Sequence, residues 1–154
     1  MTKTSRKQID EFFGLQRIAL VGASRDEKHF TRAVMKAMKE RGYQVVPVNP
    51  QVEQIDGERC FARIGEVAPA VAGAMIMTTP AAMDEVVREC QAAGIDHIWL
   101  GGEGSTVSPA TAELCEKNGI SLVVGCCPFM FMPKTPFFHR IHGAVKRMTG
   151  AYPS

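Results

Sequence analysis

The sequence has little net charge and no long apolar run. Eighteen Lys and Arg stand against sixteen Asp and Glu, giving +2 at pH 7 with histidine neutral. That imbalance is too small for a dedicated nucleic-acid or membrane-surface binder. No RNP, zinc-finger or basic-region pattern is present, so no nucleic-acid partner is expected. No apolar stretch approaches bilayer length, and Met1–Asp10 is polar without the apolar core of a signal peptide. No membrane partner is expected, and the expected location is the cytoplasm. CxxC is absent too. The five cysteines (Cys60, Cys90, Cys115, Cys126, Cys127) are odd in number and show no cluster with histidine. They read as reduced thiols with no zinc site.

No repeat, linker or low-complexity stretch divides the 154 residues, so residues 1–154 read as one domain. At 45% hydrophobic and 22% charged, the chain can build a real core. Apolar runs alternate with helical segments. Arg17–Val21 reads as a buried strand ending at Gly22. Thr31–Arg41 reads as a helix with Val34, Met35 and Met38 on one face and Gly42 as its stop. Tyr43–Val48 is the second strand, and Pro47 places its exit end there. Val52–Ala72 reads as loop with a short helical turn. Ala74–Met77, Ile95–Leu100 and Ile120–Val124 are further strands. Thr79-Pro80 and Ser108-Pro109 each open a helix, ended by Gly94 and Gly119. The first of these carries Met83, Val86, Val87 and Cys90 as its apolar stripe. Ser5 and Gln8 match a capping box for a helix within residues 1–16, with Ile9, Phe12 and Phe13 inward. Thr135-Pro136 opens a last helix, expected over 134–150. The pattern predicts an α/β fold: a doubly wound, five-stranded parallel sheet with helices on both faces, Rossmann-like. Ligands of such sheets bind beyond the carboxyl ends of the strands.

The first of those ends reads Gly22-Ala23-Ser24-Arg25. Glycine permits a tight turn, and amides near a helix start can hold a phosphate. Ser24 adds a hydroxyl, and Arg25, Lys28 and Arg32 add positive charge. The same residues also read as a plain tight connection with solvated bases. Two nucleotide motifs are missing. A dinucleotide fingerprint needs three glycines as GxGxxG and an acid about 20 residues on; here Gly22 stands alone, and the second strand ends Val48-Asn49-Pro50. No GxxxxGK[ST] occurs.

Several segments together resemble the bacterial and archaeal CoA-binding domain family. They are Ile18–Ser24 (IALVGAS), Val45–Pro50 (VVPVNP), the Ile55–Gly57 turn, Thr78-Thr79-Pro80, Trp99–Glu103 (WLGGE) and Gly125–Pro128 (GCCP). This Rossmann-type domain forms the N-terminus of the succinyl-CoA synthetase α subunit and also occurs as small separate proteins. The resemblance spans roughly Arg17 to Pro133. It implies coenzyme A or an acyl-CoA as ligand. It places Gly22, Ala23, Ser24 and Arg25 at the phosphates, and Val48, Asn49 and Pro50 beside the ADP moiety. Thr78, Thr79 and Pro80, with Leu100, Gly101 and Gly102, would follow the pantetheine arm. The synthetase's first loop has more glycines, and a lysine follows its second strand where Asn49 and Gln51 stand here.

No catalytic constellation emerges. The synthetase uses a phosphorylated histidine in a second domain, and no such domain is expected within these 154 residues. His29, His97, His139 and His142 form no Ser-His-Asp order, and Asp26, Glu27 and Glu103 read as solvated carboxylates. Cys126-Cys127 follows the fifth strand on the ligand-binding edge. It reads as packing before Pro128 or as a pair able to exchange with the thiol of CoA, and the sequence favours packing. Cys90 and Cys115 fall on apolar helix stripes. For Phe129–Met132 three readings stand open: a cover for the pantetheine arm, a subunit contact, or packing under the last helix. The expected function is CoA or acyl-CoA binding without catalysis, by a monomer or weak homo-oligomer whose partner is the small molecule. The alternatives are a non-catalytic component of an acyl-CoA ligase or transferase, and a nicotinamide-nucleotide-binding redox sensor. The sensor is disfavoured by the missing fingerprint and acid.

Overall fold

A computed structural model describes residues 4–68, 70–102 and 104–132. Five parallel strands form the sheet: β1 (Arg17–Val21), β2 (Gln44–Val48), and, after a two-residue hairpin β3 (Gln54–Ile55) and β4 (Glu58–Arg59), β5 (Gly73–Ile76), β6 (His97–Leu100) and β7 (Ser121–Val124). Their order is β2-β1-β5-β6-β7. Helices α1 (Arg6–Phe13), α2 (Phe30–Glu40), α3 (Pro80–Ala92), α4 (Pro109–Lys117) and a single turn α5 (Pro128–Phe131) complete the described chain. This is the doubly wound sheet that the alternating pattern predicts.

Side-chain alternation assigns the two faces. Ile18, Leu20, Met75, Trp99 and Val123 point to one face, under α1 and α2. Ala19, Val21, Ala74, Ile76, Ile98, Leu100 and Leu122 point to the other, under α3 and α4. Trp99 is fully buried and packs on Phe12 and Phe13, with ring centroids 5.4 and 5.1 Å away. The capping box of α1 forms as expected: the Gln8 amide donates to Ser5 Oγ, and the Ser5 amide to Gln8 Oε1.

Observed ends lie within a residue or two of the sequence reading, with three real differences. Val52–Ala72 is more than loop and a helical turn, because Asp56-Gly57 folds β3 onto β4 with positive φ at both positions. Phe129–Met132 is largely the helical turn α5, not loop. Thr79 begins α3 without a capping bond from its side chain. Pro47 sits in β2, an edge strand of the sheet, where its missing N–H costs no ladder bond to β1. The helix expected over 134–150, with His139 and His142, lies outside the described residues. No described helix is long and apolar enough to cross a membrane.

α3 and α4 are joined by a polar knot. Asp84 accepts hydrogen bonds from Thr111 Oγ1 at 2.6 Å and Ser108 Oγ at 3.2 Å, while Ser108 Oγ caps α4 by accepting from the Thr111 amide. Thr111 is buried. An Asp84→Ala change leaves that hydroxyl without its partner and is expected to cost about 1–3 kcal/mol. Urea unfolding checks this, and an unchanged midpoint would show that Thr111 finds another acceptor.

Candidate functional site

The loop after β1 is built around Gly22. Its φ is +95°, and its amide donates to the Val48 carbonyl at 2.8 Å. A Cβ here would stand 2.6 Å from the Met77 carbonyl oxygen, so the exits of β1 and β5 touch. Ala23 is buried beneath the loop, and its carbonyl accepts from Asn49 Nδ2 at 2.9 Å. Asn49 Oδ1 accepts from the Gln51 amide. Asn49 therefore stitches the β2 exit to the β1 exit.

Thr31, in the first turn of α2, fixes the next residues. It is buried, and its Oγ1 accepts from the Ser24 amide at 3.1 Å. The same oxygen lies 2.8 Å from His29 Nδ1, and the Thr31 amide donates to that nitrogen at 3.2 Å. Two donors converge on Nδ1, so it accepts and Nε2 carries the ring proton. His29 is thus the N-cap of α2. Ser24 Oγ accepts from the Asp26 amide, closing a turn. Among the described residues the Ala23 and Arg25 amides have no acceptor. They sit beside the N-terminus of an eleven-residue helix, whose dipole favours an anion.

The three basic residues do different things. Arg25 and Lys28 are exposed on the loop. Arg32 is 10% exposed and donates to the Arg25 carbonyl at 2.9 Å and to Asp56 Oδ2 at 2.6 Å. It braces the loop against the β3–β4 hairpin, so its charge is already matched.

β1 leads outward to β2, and β5 returns on the other side of β1. The crevice at that switch point is where such folds hold ligands. A crevice of about 370 Å³ lies between the start of α2 and the exits of β5 and β6, lined by Phe30, Thr31, Met77, Thr78, Met83 and Ser105 with Gly101 and Gly102, and by no residue of the Gly22–Lys28 loop or the β2 exit. Of the residues singled out in the sequence, Thr78, Gly101 and Gly102 meet there. Thr79 and Pro80 start α3 beside it, exposed. Val48, Leu100 and Ala23 are buried as whole residues, at 1%, 1% and 0% exposure, so neither their side chains nor their backbone is open to a ligand. Pro50 is exposed beyond β2.

The cysteines separate by burial, and none is bonded to another. Burial, then the neighbouring Glu89 and Cys115, push the Cys90 thiol up to about 12, and burial takes Cys115 to about 11. Burial also raises Cys60 and Cys126 above the usual thiol range. Cys126 and Cys127 are half-buried after β7. Cys126 Sγ donates to the Val124 carbonyl, and its own carbonyl accepts from Trp99 Nε1 at 3.1 Å. Among the described residues no three His, Cys, Asp or Glu side chains converge as a metal site.

Residues 16–133 match the family described as CoA binding domain. The chain belongs to the CoA-binding domain family. It is 27% identical over 128 residues to the α subunit of ADP-forming acetate–CoA ligase II from Pyrococcus furiosus, covering 77% of this chain and 28% of that subunit. It thus spans well under two thirds of that relative's length. An uncharacterized protein of Bacillus subtilis is 22% identical over 128 residues, which cover 82% of this chain and 93% of that one. A solved structure, a conserved hypothetical protein from Pyrococcus furiosus, superposes with a TM-score of 0.67 at 27% identity, covering 75% of this chain and 97% of the other.

Within this CoA-binding domain, several residues that line the crevice were not read from the sequence as site residues, among them His29, Thr31, Met83 and Ser105. Ser105 Oγ donates to the Leu100 carbonyl and accepts from the Gly125 amide, tying the β6 and β7 exits together. A threonine in the first turn of a helix after a glycine loop was the one available signal. Histidine as a cap and a serine in a loop leave no pattern.

Proposed function

We propose that this domain binds coenzyme A or an acyl-CoA across the carboxyl edge of its sheet. The phosphates sit on the free Arg25 amide, with Ser24 Oγ and the Arg25 and Lys28 side chains around them. Arg32 holds that loop in place rather than contacting the ligand. The ADP moiety lies by Asn49 and Pro50. The pantetheine arm runs along Thr78, Thr79 and Pro80 and the backbone of Gly101 and Gly102. The observation that carries this reading is the unengaged amide of exposed Arg25 beside the α2 N-terminus, in a chain that matches the CoA-binding family. No acid stands at the end of β2 for the ribose of NAD.

The domain acts as a binder without chemistry of its own. The crevice walls carry glycines, hydroxyls and apolar groups, and His29 is turned to cap α2. A second reading, a component of an acyl-CoA ligase, draws on the acetate–CoA ligase subunit among the relatives.

Calorimetry under reducing conditions tests the ligand. CoA is expected to bind at least about tenfold tighter than NAD, about 1.4 kcal/mol, with dephospho-CoA between them. Equal or tighter NAD binding overturns the assignment. The same protein with acetate, CoA and ATP is expected to release no phosphate. Acid-dependent release, abolished by a crevice substitution, would overturn the reading of a binder without chemistry of its own.

A further inference from the structure

We propose that the crevice between the start of α2 and the exits of β5 and β6 takes the acyl group of an acyl-CoA, and selects short apolar acyl groups over those ending in a carboxylate. The inference rests on the CoA reading above and names the class of ligand. It begins with what the crevice lacks. None of the described residues lining it is Asp, Glu, Lys or Arg, and no residue of the basic Gly22–Lys28 loop lines it. The phosphate-bearing end of a CoA ester belongs at that loop, and what enters the crevice is the other end.

The hydroxyls around the crevice are already engaged. Thr31 Oγ1 accepts from the Ser24 amide and lies 2.8 Å from His29 Nδ1. Thr78 Oγ1 donates to the Thr79 carbonyl at 3.3 Å, and Ser105 Oγ is held between the Leu100 carbonyl and the Gly125 amide. The remaining side chains are those of Phe30, Met77, Met83 and His29. His29 Nδ1 accepts from the Thr31 amide, so the ring proton is on Nε2, and among the described residues Nε2 has no partner. The crevice thus offers apolar surface and one unused side-chain N–H. Apolar walls with few polar groups are the usual make-up of a small-molecule site. They match an acyl thioester, whose carbonyl oxygen is an acceptor and whose chain is apolar.

A second observation lies at the mouth. Three large apolar side chains are exposed among the described residues: Phe30 at 44%, Phe129 at 42% and Met130 at 72%. Phe30 lines the crevice, and the Phe129 ring meets it edge-on, centroids 5.5 Å apart. Met130 follows Phe129 on the same turn, α5. Uncovered apolar surface gathers beside the crevice, where an alkyl chain would cover it. The size suits a short chain. A water takes about 30 Å³ of the liquid and a methylene takes similar room, so about 370 Å³ holds several carbons. Each buried methylene tightens binding by about threefold to fourfold. A terminal carboxylate gains nothing, because no cation lines the crevice to offset its desolvation.

The test compares CoA, acetyl-CoA, butyryl-CoA and succinyl-CoA by calorimetry on the full chain. Butyryl and succinyl groups have equal numbers of carbons and differ in a terminal methyl or carboxylate. Butyryl-CoA is expected to bind at least about fivefold tighter than acetyl-CoA and at least about tenfold tighter than succinyl-CoA. Phe30→Ala is expected to bring the butyryl-to-acetyl ratio to within about twofold. The ratio cancels whatever the substitution does to the shared CoA part, and the ranking on the unaltered chain stands without the variant. Equal affinities for the three esters, succinyl-CoA as tight as butyryl-CoA, or a ratio that Phe30→Ala leaves unchanged would each overturn the proposal. So would a dimer, seen by sedimentation, that Phe30→Ala dissolves, because a second copy would then cover the exposed rings. Free CoA separates the two failures. CoA bound with no preference among its esters removes only the acyl pocket, whereas absent binding of CoA and of every ester removes the CoA reading itself.

Discussion

Replacing Gly22 with alanine is expected to destabilise the fold by about 2–5 kcal/mol and to abolish measurable CoA binding. Two costs add. At φ +95° an L side chain is strained, by about 1–2 kcal/mol. The new Cβ would also stand 2.6 Å from the Met77 oxygen and 2.9 Å from the Met77 carbonyl carbon. Both are backbone, so relief requires moving the β1 exit away from the β5 exit, and overpacking of that kind costs about 1–3 kcal/mol. The displaced segment carries the Arg25 amide, so the proposed phosphate seat moves with it. Gly94→Ala is the control. Its φ is +80°, but nothing lies within 4 Å of its added Cβ, so it bears the conformational cost alone. Urea unfolding of both variants decides. If Gly22→Ala is no worse than Gly94→Ala, close approach of the two strand exits is not what holds this loop.

Much of the fold was legible because its signals are local or repeat over a full turn. Ser5 with Gln8, and Ser108 with Pro109, announce helix starts through side-chain oxygens that reach the backbone three residues on. The strands read as apolar runs because both faces of the sheet are covered. The β3–β4 hairpin escaped because strands of two residues have no period to detect, although Asp56-Gly57 is the dipeptide its turn demands. At the site, the sequence gives the type of Arg32 but not its partner. Its guanidinium is drawn to Asp56, twenty-four positions away, and that pairing exists only once α2 and the hairpin are both formed. Leu100 and Val48 belong to the matching motifs for a similar reason. They fill the core at the ends of β2 and β6.

Thr31 carries the other large effect, and it acts through the loop rather than on the ligand. Thr31→Val is expected to weaken CoA binding by about 10–30-fold, about 1.4–2 kcal/mol. Valine has nearly the volume of threonine, so the packing of this buried position is kept and the hydroxyl alone is lost. The Ser24 amide then has no acceptor, and His29 Nδ1 keeps only the Thr31 amide as donor. Ser24 is half-buried, so water can rescue part of its bonding, and the stability cost should fall at the low end of about 1–3 kcal/mol. Position is what water cannot restore. With the Ser24 amide released, the adjoining Arg25 amide is no longer held in place beside the α2 N-terminus. Thr31→Ser keeps the oxygen and is expected to bind CoA within about threefold of the unaltered chain, less than 0.7 kcal/mol. Calorimetry with CoA on both variants, together with their urea midpoints, reads affinity and stability separately. A valine variant that loses stability but binds CoA unchanged would mean that the β1 loop does not seat the phosphates. A serine variant as weak as the valine one would mean that the methyl group, not the hydroxyl, sets the loop.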